Sequence, residues 1–251
     1  MGELFETTNC DIDILQSIRI RNIGKVIVGN LNIASLPNRI DELRDIAKDR
    51  IDILVLTETH IDASFPTEQF LIEGFAAPYR QDRNINGGGI MIYVREDIPS
   101  KVLDKHTFPD VIFDINDNIG PIEGIFIEIN LHKSKWLLFG SYHRPKQNDS
   151  YYFEKVTHAL DVYAKDYQRF LLTGDFNTEQ HEPTLSSFLN QHNSTSLVKG
   201  KTCFKSVYNP SCVDLFITNS PMSFQNTGCS DFHKMVVTVM KTKFEKLKPK
   251  M

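Results

Sequence analysis

The chain has 251 residues, 41% hydrophobic and 24% charged, a globular composition that is long enough for one large core. Its 28 Lys and Arg against 32 Asp and Glu leave a net charge of −4, which excludes a global field attracting a polyanion, so any contact with nucleic acid must use local patches. No apolar run approaches the roughly 20 residues of a membrane span, and residues 1–21 lack the basic start, apolar centre and cleavage site of a signal peptide, so the expectation is an intracellular protein with no membrane partner.

Residues 1–24 show no clear periodicity and read as a loosely held lead-in to the first strand. A strand is predicted over 24–31, followed by a helix capped by Ser35, with Pro37 near its first turn and Leu36, Ile40, Leu43 and Ala47 on one face. The next strand, 51–56, ends at Thr57-Glu58-Thr59-His60. Ser64-Phe65-Pro66 breaks the chain, and 70–75 suggests a short edge segment. Gly87-Gly88-Gly89 precedes the apolar run 90–94. With no following helix and no Gly-Lys-Ser/Thr, the triple glycine predicts a hairpin turn or a close backbone approach, not a phosphate loop.

The runs 111–114, 122–131 and 136–142 predict consecutive antiparallel strands with turns at 116–118 and 132–134. The period then changes. Asp149 or Ser150 can cap a helix reaching Tyr167, with Phe153, Val156, Leu160 and Tyr163 or Ala164 as its buried stripe. Leu171-Leu172-Thr173 feeds into Gly174-Asp175-Phe176-Asn177, which puts a carboxylate and an amide at the tip of a buried strand. A short helix starts at Pro183 and buries Leu185, Phe188 and Leu189. The Phe204 region, 213–217, 222–224 and 235–240 predict closing strands, and Lys241 to Lys250 forms a basic tail. The expected organisation is one domain, 25–242, between the lead-in 1–24 and a basic linker 243–251. Its class is α/β, a four-layer sandwich of two mixed β-sheets packed face to face with helices outside.

The strand-like runs 26–32, 53–58 and 213–217 resemble 171–177 in carrying an Asn, Glu or Asp. Oxygen ligands of this kind suit Mg²⁺, which keeps several waters and takes one or two protein carboxylates plus substrate phosphate oxygens. A phosphate-ester enzyme follows as the first expectation. Arg83, Arg95 and Arg144 are candidates for DNA or phosphate contact, and Lys133 with Lys135 forms a further basic patch. Each also fits an ordinary solvated loop. Four cysteines without CxxC spacing predict reduced thiols.

Leu31-Asn32-Ile33, Thr57-Glu58-Thr59, Ser141-Tyr142, Gly174-Asp175-Phe176-Asn177, Val213-Asp214-Leu215 and Ser230-Asp231-Phe232-His233 occur in the order shown by the endonuclease/exonuclease/phosphatase superfamily, and the resemblance spans nearly the whole chain. Within it, Thr57 to Asp62, Arg80 to Val94 and Tyr142 near Arg144-Pro145 resemble the apurinic-like endonuclease domains of non-LTR (LINE-type) retrotransposons. The resemblance implies a DNase I-like fold and a DNA endonuclease dependent on Mg²⁺, with Mn²⁺ as a substitute, that nicks one strand to prime reverse transcription. It also implies DNA and the reverse transcriptase region of the same polyprotein as partners, and a nuclear place of action. It makes Glu58 the principal metal carboxylate with Asn32 beside it, and Asp175 the group that orients and deprotonates the attacking water. Asn177 and Tyr142 would contact the phosphate. Asp214 would pair with His233, whose imidazolium stabilises the pentavalent phosphorus, and Asp231 would serve the metal or the leaving group. Two departures stand out: many members carry Asn or Asp two residues after the first Asn, where this chain has Ala34, and Phe232 splits the usual Asp-His pair. The rival readings are a phosphatase or phosphodiesterase of a small ester on the same fold, and a non-catalytic binding domain.

Overall fold

A computed structural model describes residues 11–103, 118–131, 134–179, 181–203, 211–229 and 235–243. With strands numbered along the chain, the first sheet has the order β11 (Phe224–Cys229), β12 (Val236–Lys243), β1 (Lys25–Asn32), β2 (Ile53–Thr57), β4 (Ile90–Val94), β3 (Tyr79–Gln81). The second has the order β5 (Ser100–Val102), β6 (Glu123–Leu131), β7 (Ser134–Tyr142), β8 (Phe170–Asp175), β10 (Asp214–Thr218), β9 (Thr195–Ser196). Each sheet is mixed, with one parallel pair at its centre, β1 with β2 and β7 with β8, and antiparallel neighbours on either side. Parallel strands need a crossover, and here α2 (Ile40–Ala47) connects the first pair and α3 (Asp149–Tyr163) the second.

Strand alternation divides the apolar residues between layers. Val26, Val28, Ile53, Val55, Ile90 and Ile92 face the second sheet and join its Trp136 and Leu138 in one core. Ile27, Leu31, Leu54, Leu56, Met91 and Tyr93 face the other way, beneath Leu43, Ile46 and Ala47 of α2 and Leu15 of α1 (Asp11–Arg21). On the second sheet, α3 and α4 (Pro183–Gln191) contribute Phe153, Val156, Leu185 and Phe188. The central strands are buried on both faces, so they read in sequence as nearly unbroken aliphatic runs. The predicted two-sheet sandwich with outer helices is the observed architecture.

Several local readings change. The lead-in carries α1, whose Asp11-Ile12-Asp13-Ile14 start alternates like a strand and whose helical face is weak; buried Leu15 attaches it to the fold. Ser35 makes no side-chain cap. Its backbone N–H donates to Glu58 O at 2.9 Å, so the chain first makes a 3₁₀ turn, Leu36–Asn38, and α2 begins only at Ile40. The cap of α3 is Asn148, whose side chain accepts from Tyr151 N at 2.9 Å, and the helix stops at Tyr163. In place of an edge segment at 70–75 there is a 3₁₀ turn, Thr67–Phe70, and a single bridge from Phe75 to Arg95. The strand predicted at 222–224 begins only at Phe224, and β12 runs into the expected tail. The predicted strand 111–114 and the Phe204 region lie outside the described residues.

Asp52, 1% exposed, holds the end where β1 begins. It accepts from Ile27 N at 2.7 Å, from Arg19 Nη2 at 2.6 Å and from Arg95. Removing one partner of a buried ion pair costs about 3–5 kcal/mol. Asp52→Ala should therefore lower the unfolding free energy measured in urea by about 3 kcal/mol, and a loss below about 1 kcal/mol would show that both arginines simply return to solvent.

Candidate active site

The carboxyl ends of both parallel pairs emerge at one end of the sandwich, where open α/β sheets commonly bind ligands. Antiparallel β10 starts at that end, with Asp214 opposite Asp175 in the ladder. On β1, Asn30 and Asn32 continue the face that carries Val26 and Val28. Asn32 spans the gap between the sheets, its Nδ2 donating to Asp175 Oδ2 at 2.9 Å. Asn30, 1% exposed, donates to Asp214 Oδ1 across a longer 3.4 Å. The Asn-x-Asn pair that turns toward the second sheet is thus Asn30 and Asn32. Ala34 lies past the strand in a left-handed conformation, φ 47°, and brings no polar group to the cleft that it lines.

Glu58 reaches the site by breaking strand alternation. Ile53 and Val55 face the second sheet, so a regular strand would send residue 57 inward and residue 58 toward the helices. Glu58 instead has φ 56°, a conformation costing about 1–2 kcal/mol for a residue with a Cβ. Backbone bonds hold it there: Ser35 N donates to Glu58 O at 2.9 Å and Leu36 N to Thr59 O at 2.9 Å. The carboxylate receives the Tyr142 hydroxyl on Oε1, and His60 Nε2 at 2.7 Å and Gly88 N at 2.8 Å on Oε2. Burial alone would raise the Glu58 pKa, but these donors outweigh it and hold the group below its ordinary 4.5. Burial, reinforced by the carboxylate, raises Tyr142 and keeps its hydroxyl a neutral donor.

The Gly-Asp-Phe-Asn turn follows from close strand packing. A Cβ on Gly174 would stand 1.7 Å from Ser141 O, so only glycine lets β8 lie against β7 at this point. Beyond it, Asn177 N donates to Asp175 Oδ1 at 3.1 Å and Asn177 Nδ2 to His143 O at 2.7 Å. His143, 1% exposed, ties the same turn through Nδ1, which donates to Phe176 O at 2.6 Å. Thr202 Oγ1 accepts from Val213 N at 3.1 Å and Asp214 N at 3.0 Å, fixing the start of β10.

Asn32, Glu58, Tyr142, Asp175, Asn177 and Asp214 line one cleft of about 620 Å³, together with Ala34, His60, Arg83 and Thr202. Arg83 is also committed to Glu123, Nη1 to Oε1 at 2.6 Å. Arg144 stands at the margin with its guanidinium against Gly120, and Pro145 lines the cleft in its place. Arg95 is not brought to the site. It follows β4 at the opposite end, paired with Asp52 and Asp97, and so serves the fold. Lys135 approaches Glu128 near the start of β7, also away from the cleft. Asp231 and His233 lie outside the described residues, as does Lys133. Sequence reasoning missed Asn30, Glu123 and Thr202, and it gave no site role to His60, which it read only within the stretch after Glu58, or to His143, which it read only as part of a basic patch at 143–146. Asn30 and His60 had a signal, each lying two residues from a chosen ligand.

Among the described residues no three His, Cys, Asp or Glu side chains form a metal cage. The donor chemistry nevertheless fits Mg²⁺. Glu58 is an anionic carboxylate and Asn32, its amide nitrogen engaged by Asp175, keeps its carbonyl oxygen as an acceptor, so two hard protein donors can be completed by water and substrate oxygens.

The sequence model of the endonuclease/exonuclease/phosphatase family matches residues 21–234. No curated protein matches the chain. Among solved structures, the endonuclease domain of TRAS1, a telomere-specific non-LTR retrotransposon, is similar at TM-score 0.63 and 13% identity, over 87% of this chain and 99% of that one. The AP endonuclease LMAP from Leishmania major matches at TM-score 0.66 and 13% identity, over 96% and 92%. The 3′ phosphatase NExo from Neisseria, bound to product DNA hairpin, matches at TM-score 0.60 and 14% identity, over 87% and 100%. At such identities the likeness establishes the fold, a DNase I-like sandwich.

The depressed Glu58 pKa sets a pH dependence. Because the folded value lies below the unfolded one, the group contributes stability that is fully present above about pH 4.5 and fades as pH falls through the folded value. Glu58→Gln should flatten this acid limb of the urea midpoint against pH, and an unchanged limb would mean that the donors around Glu58 do not hold it in solution.

Proposed function

Because the chain belongs to the endonuclease/exonuclease/phosphatase family, we propose that it is a Mg²⁺-dependent DNA endonuclease that nicks one strand and leaves a 3′-hydroxyl. A reverse transcriptase region of the same polyprotein would extend that hydroxyl, on chromosomal DNA in the nucleus. The observation that carries this reading is the convergence of Asn32, Glu58, Tyr142, Asp175, Asn177 and Asp214 on one cleft. The retrotransposon-like stretches and the TRAS1 likeness support the choice of substrate, and the Neisseria enzyme with its DNA hairpin shows the same fold against DNA.

Each residue has a task its surroundings suit. Asp175, oriented by Asn32 and by Asn177 N, presents a fixed carboxylate to a water and takes its proton as the water attacks phosphorus. Tyr142, neutral and at the cleft, gives its one hydroxyl proton to Glu58 Oε1 and would turn it to a phosphate oxygen once Glu58 holds the cation. Asn177, braced on His143 O, stands beside that oxygen. Glu58 and Asn32 would hold Mg²⁺, which supplies charge stabilisation to the non-bridging and leaving oxygens. His233 is assigned the stabilisation of the phosphorane and Asp231 the metal or leaving group. Together these groups must lower a barrier for phosphodiester hydrolysis by more than ~15 kcal/mol.

Purified protein should nick supercoiled plasmid with Mg²⁺ or Mn²⁺ and stop with chelator. Asp175→Asn and Glu58→Gln should each lose at least about 100-fold in rate with an unchanged circular dichroism spectrum, and full nicking by Asp175→Asn would overturn the assignment. DNA binding should weaken with salt at a log-log slope near −0.9 for each phosphate contacted. Faster turnover of nitrophenyl or inositol phosphates than of plasmid would instead identify a small-ester enzyme.

A further inference from the structure

The three glycines before β4 are gripped from two sides. On one side they hold Glu58: Gly88 N donates to its Oε2 at 2.8 Å, while His60 N and Thr59 N donate to Gly88 O and Gly89 O at 3.1 and 3.4 Å. On the other side stands Glu123, the first residue of β6, 6% exposed. Its Oε2 accepts from Gly89 N at 2.8 Å and its Oε1 from Arg83 Nη1 at 2.6 Å. Arg83 closes the ring by donating from Nε to Gly87 O at 2.7 Å. Space in the corner is tight: a Cβ on Gly88, at φ 69°, would stand 2.4 Å from Arg83 Cζ and 2.6 Å from Glu123 Oε2. The second donor to Glu58 is tied to the same pair. Glu123 sits opposite Tyr142 in the β6–β7 ladder, and the Arg83 guanidinium lies 5.8 Å from the Tyr142 ring centroid.

We infer that Glu123 is a positioning residue: by clamping the glycine corner directly and through Arg83, it fixes the Glu58 carboxylate in the orientation that accepts a divalent cation. The inference rests on the reading of Glu58 as a metal carboxylate. A buried carboxylate that receives a backbone N–H and a guanidinium is stable only while both are present, so the corner is rigid as a unit. Without Glu123, Arg83 Nη1 and the Gly89 amide lose their acceptor, the corner relaxes, and Gly88 N no longer pins Glu58 Oε2.

The test follows Mn²⁺ binding to the DNA-free protein by electron paramagnetic resonance, alongside plasmid nicking against Mg²⁺ concentration. Glu123→Ala should weaken Mn²⁺ binding by about 10–100-fold and raise the Mg²⁺ needed for half-maximal nicking by a similar factor. Glu123→Gln keeps an acceptor for Gly89 but sets an amide against Arg83, and should show a smaller shift of the same kind. It decides the matter if the alanine variant does not fold. A purely structural role would lower the unfolding midpoint without selectively moving the metal dependence. Wild-type Mn²⁺ affinity in a folded variant would overturn the inference while leaving the nuclease reading intact. Wild-type protein that nicks plasmid yet binds no Mn²⁺ would overturn it through the role given to Glu58, whereas wild-type protein that neither binds Mn²⁺ nor nicks would remove the parent reading as well.

Discussion

The hydrogen bond from Asn32 to Asp175 joins two sheets that are built separately, and the remaining geometry depends on it. One partner comes from the end of β1 and the other from the end of β8. Their meeting requires the two parallel pairs to finish at the same height, and a slip of one residue in either strand would turn the polar end to the wrong face. What sets that height is the apolar layer between the sheets, with Val26, Val28, Ile53 and Val55 on one side and Trp136 and Leu138 on the other. Residues that never approach a phosphate thereby decide the distance between the groups that would act on it. A displacement near 1 Å can cost a catalyst roughly 100-fold.

The electrostatics of the cleft impose a second constraint. Glu58, Asp175 and Asp214 all line it, and the proposed phosphodiester substrate would bring a further negative charge to the same place. At an effective dielectric constant of 20, two like charges about 4 Å apart repel by about 4 kcal/mol. Arg83 offsets little of this because Glu123 already engages it. The donor set of Asn32 and Glu58 makes physical sense as a place for compensating positive charge, and under the proposed function cation and polyanion would bind with linked affinities, each strengthening the other.

How far the sequence revealed this depends on scale. The doubly buried strands declared themselves as aliphatic runs, and the residues at their tips could be selected because each interrupts such a run with a polar group. Gly174-Asp175-Phe176-Asn177 was legible for that reason, and Gly87-Gly88-Gly89 was legible as a close backbone approach. β5 and β9, three and two residues long, are too short to show a period, and α1 hides behind a start that alternates like a strand. Glu123 opens β6 and looks like any polar strand end. Its importance comes from partners 40 and 34 residues away in the chain, a relation that no local pattern carries. Arg95 shows the opposite error, since an arginine near other basic residues suggested a ligand contact although its nearest acids, Asp52 and Asp97, take it for the fold.

Five of the ten non-glycine residues with positive φ among the described residues, Ala34, Ser35, Glu58, His60 and Asn177, cluster around the cleft. Strain of this kind is stored where a structure over-determines the backbone. At Glu58 it sets stability and chemistry in opposition, because glycine would relieve the backbone and delete the carboxylate in one step. Glycine there would also strand the Tyr142, His60 and Gly88 donors that the carboxylate now satisfies, so the same side chain strains the backbone and offsets part of that strain.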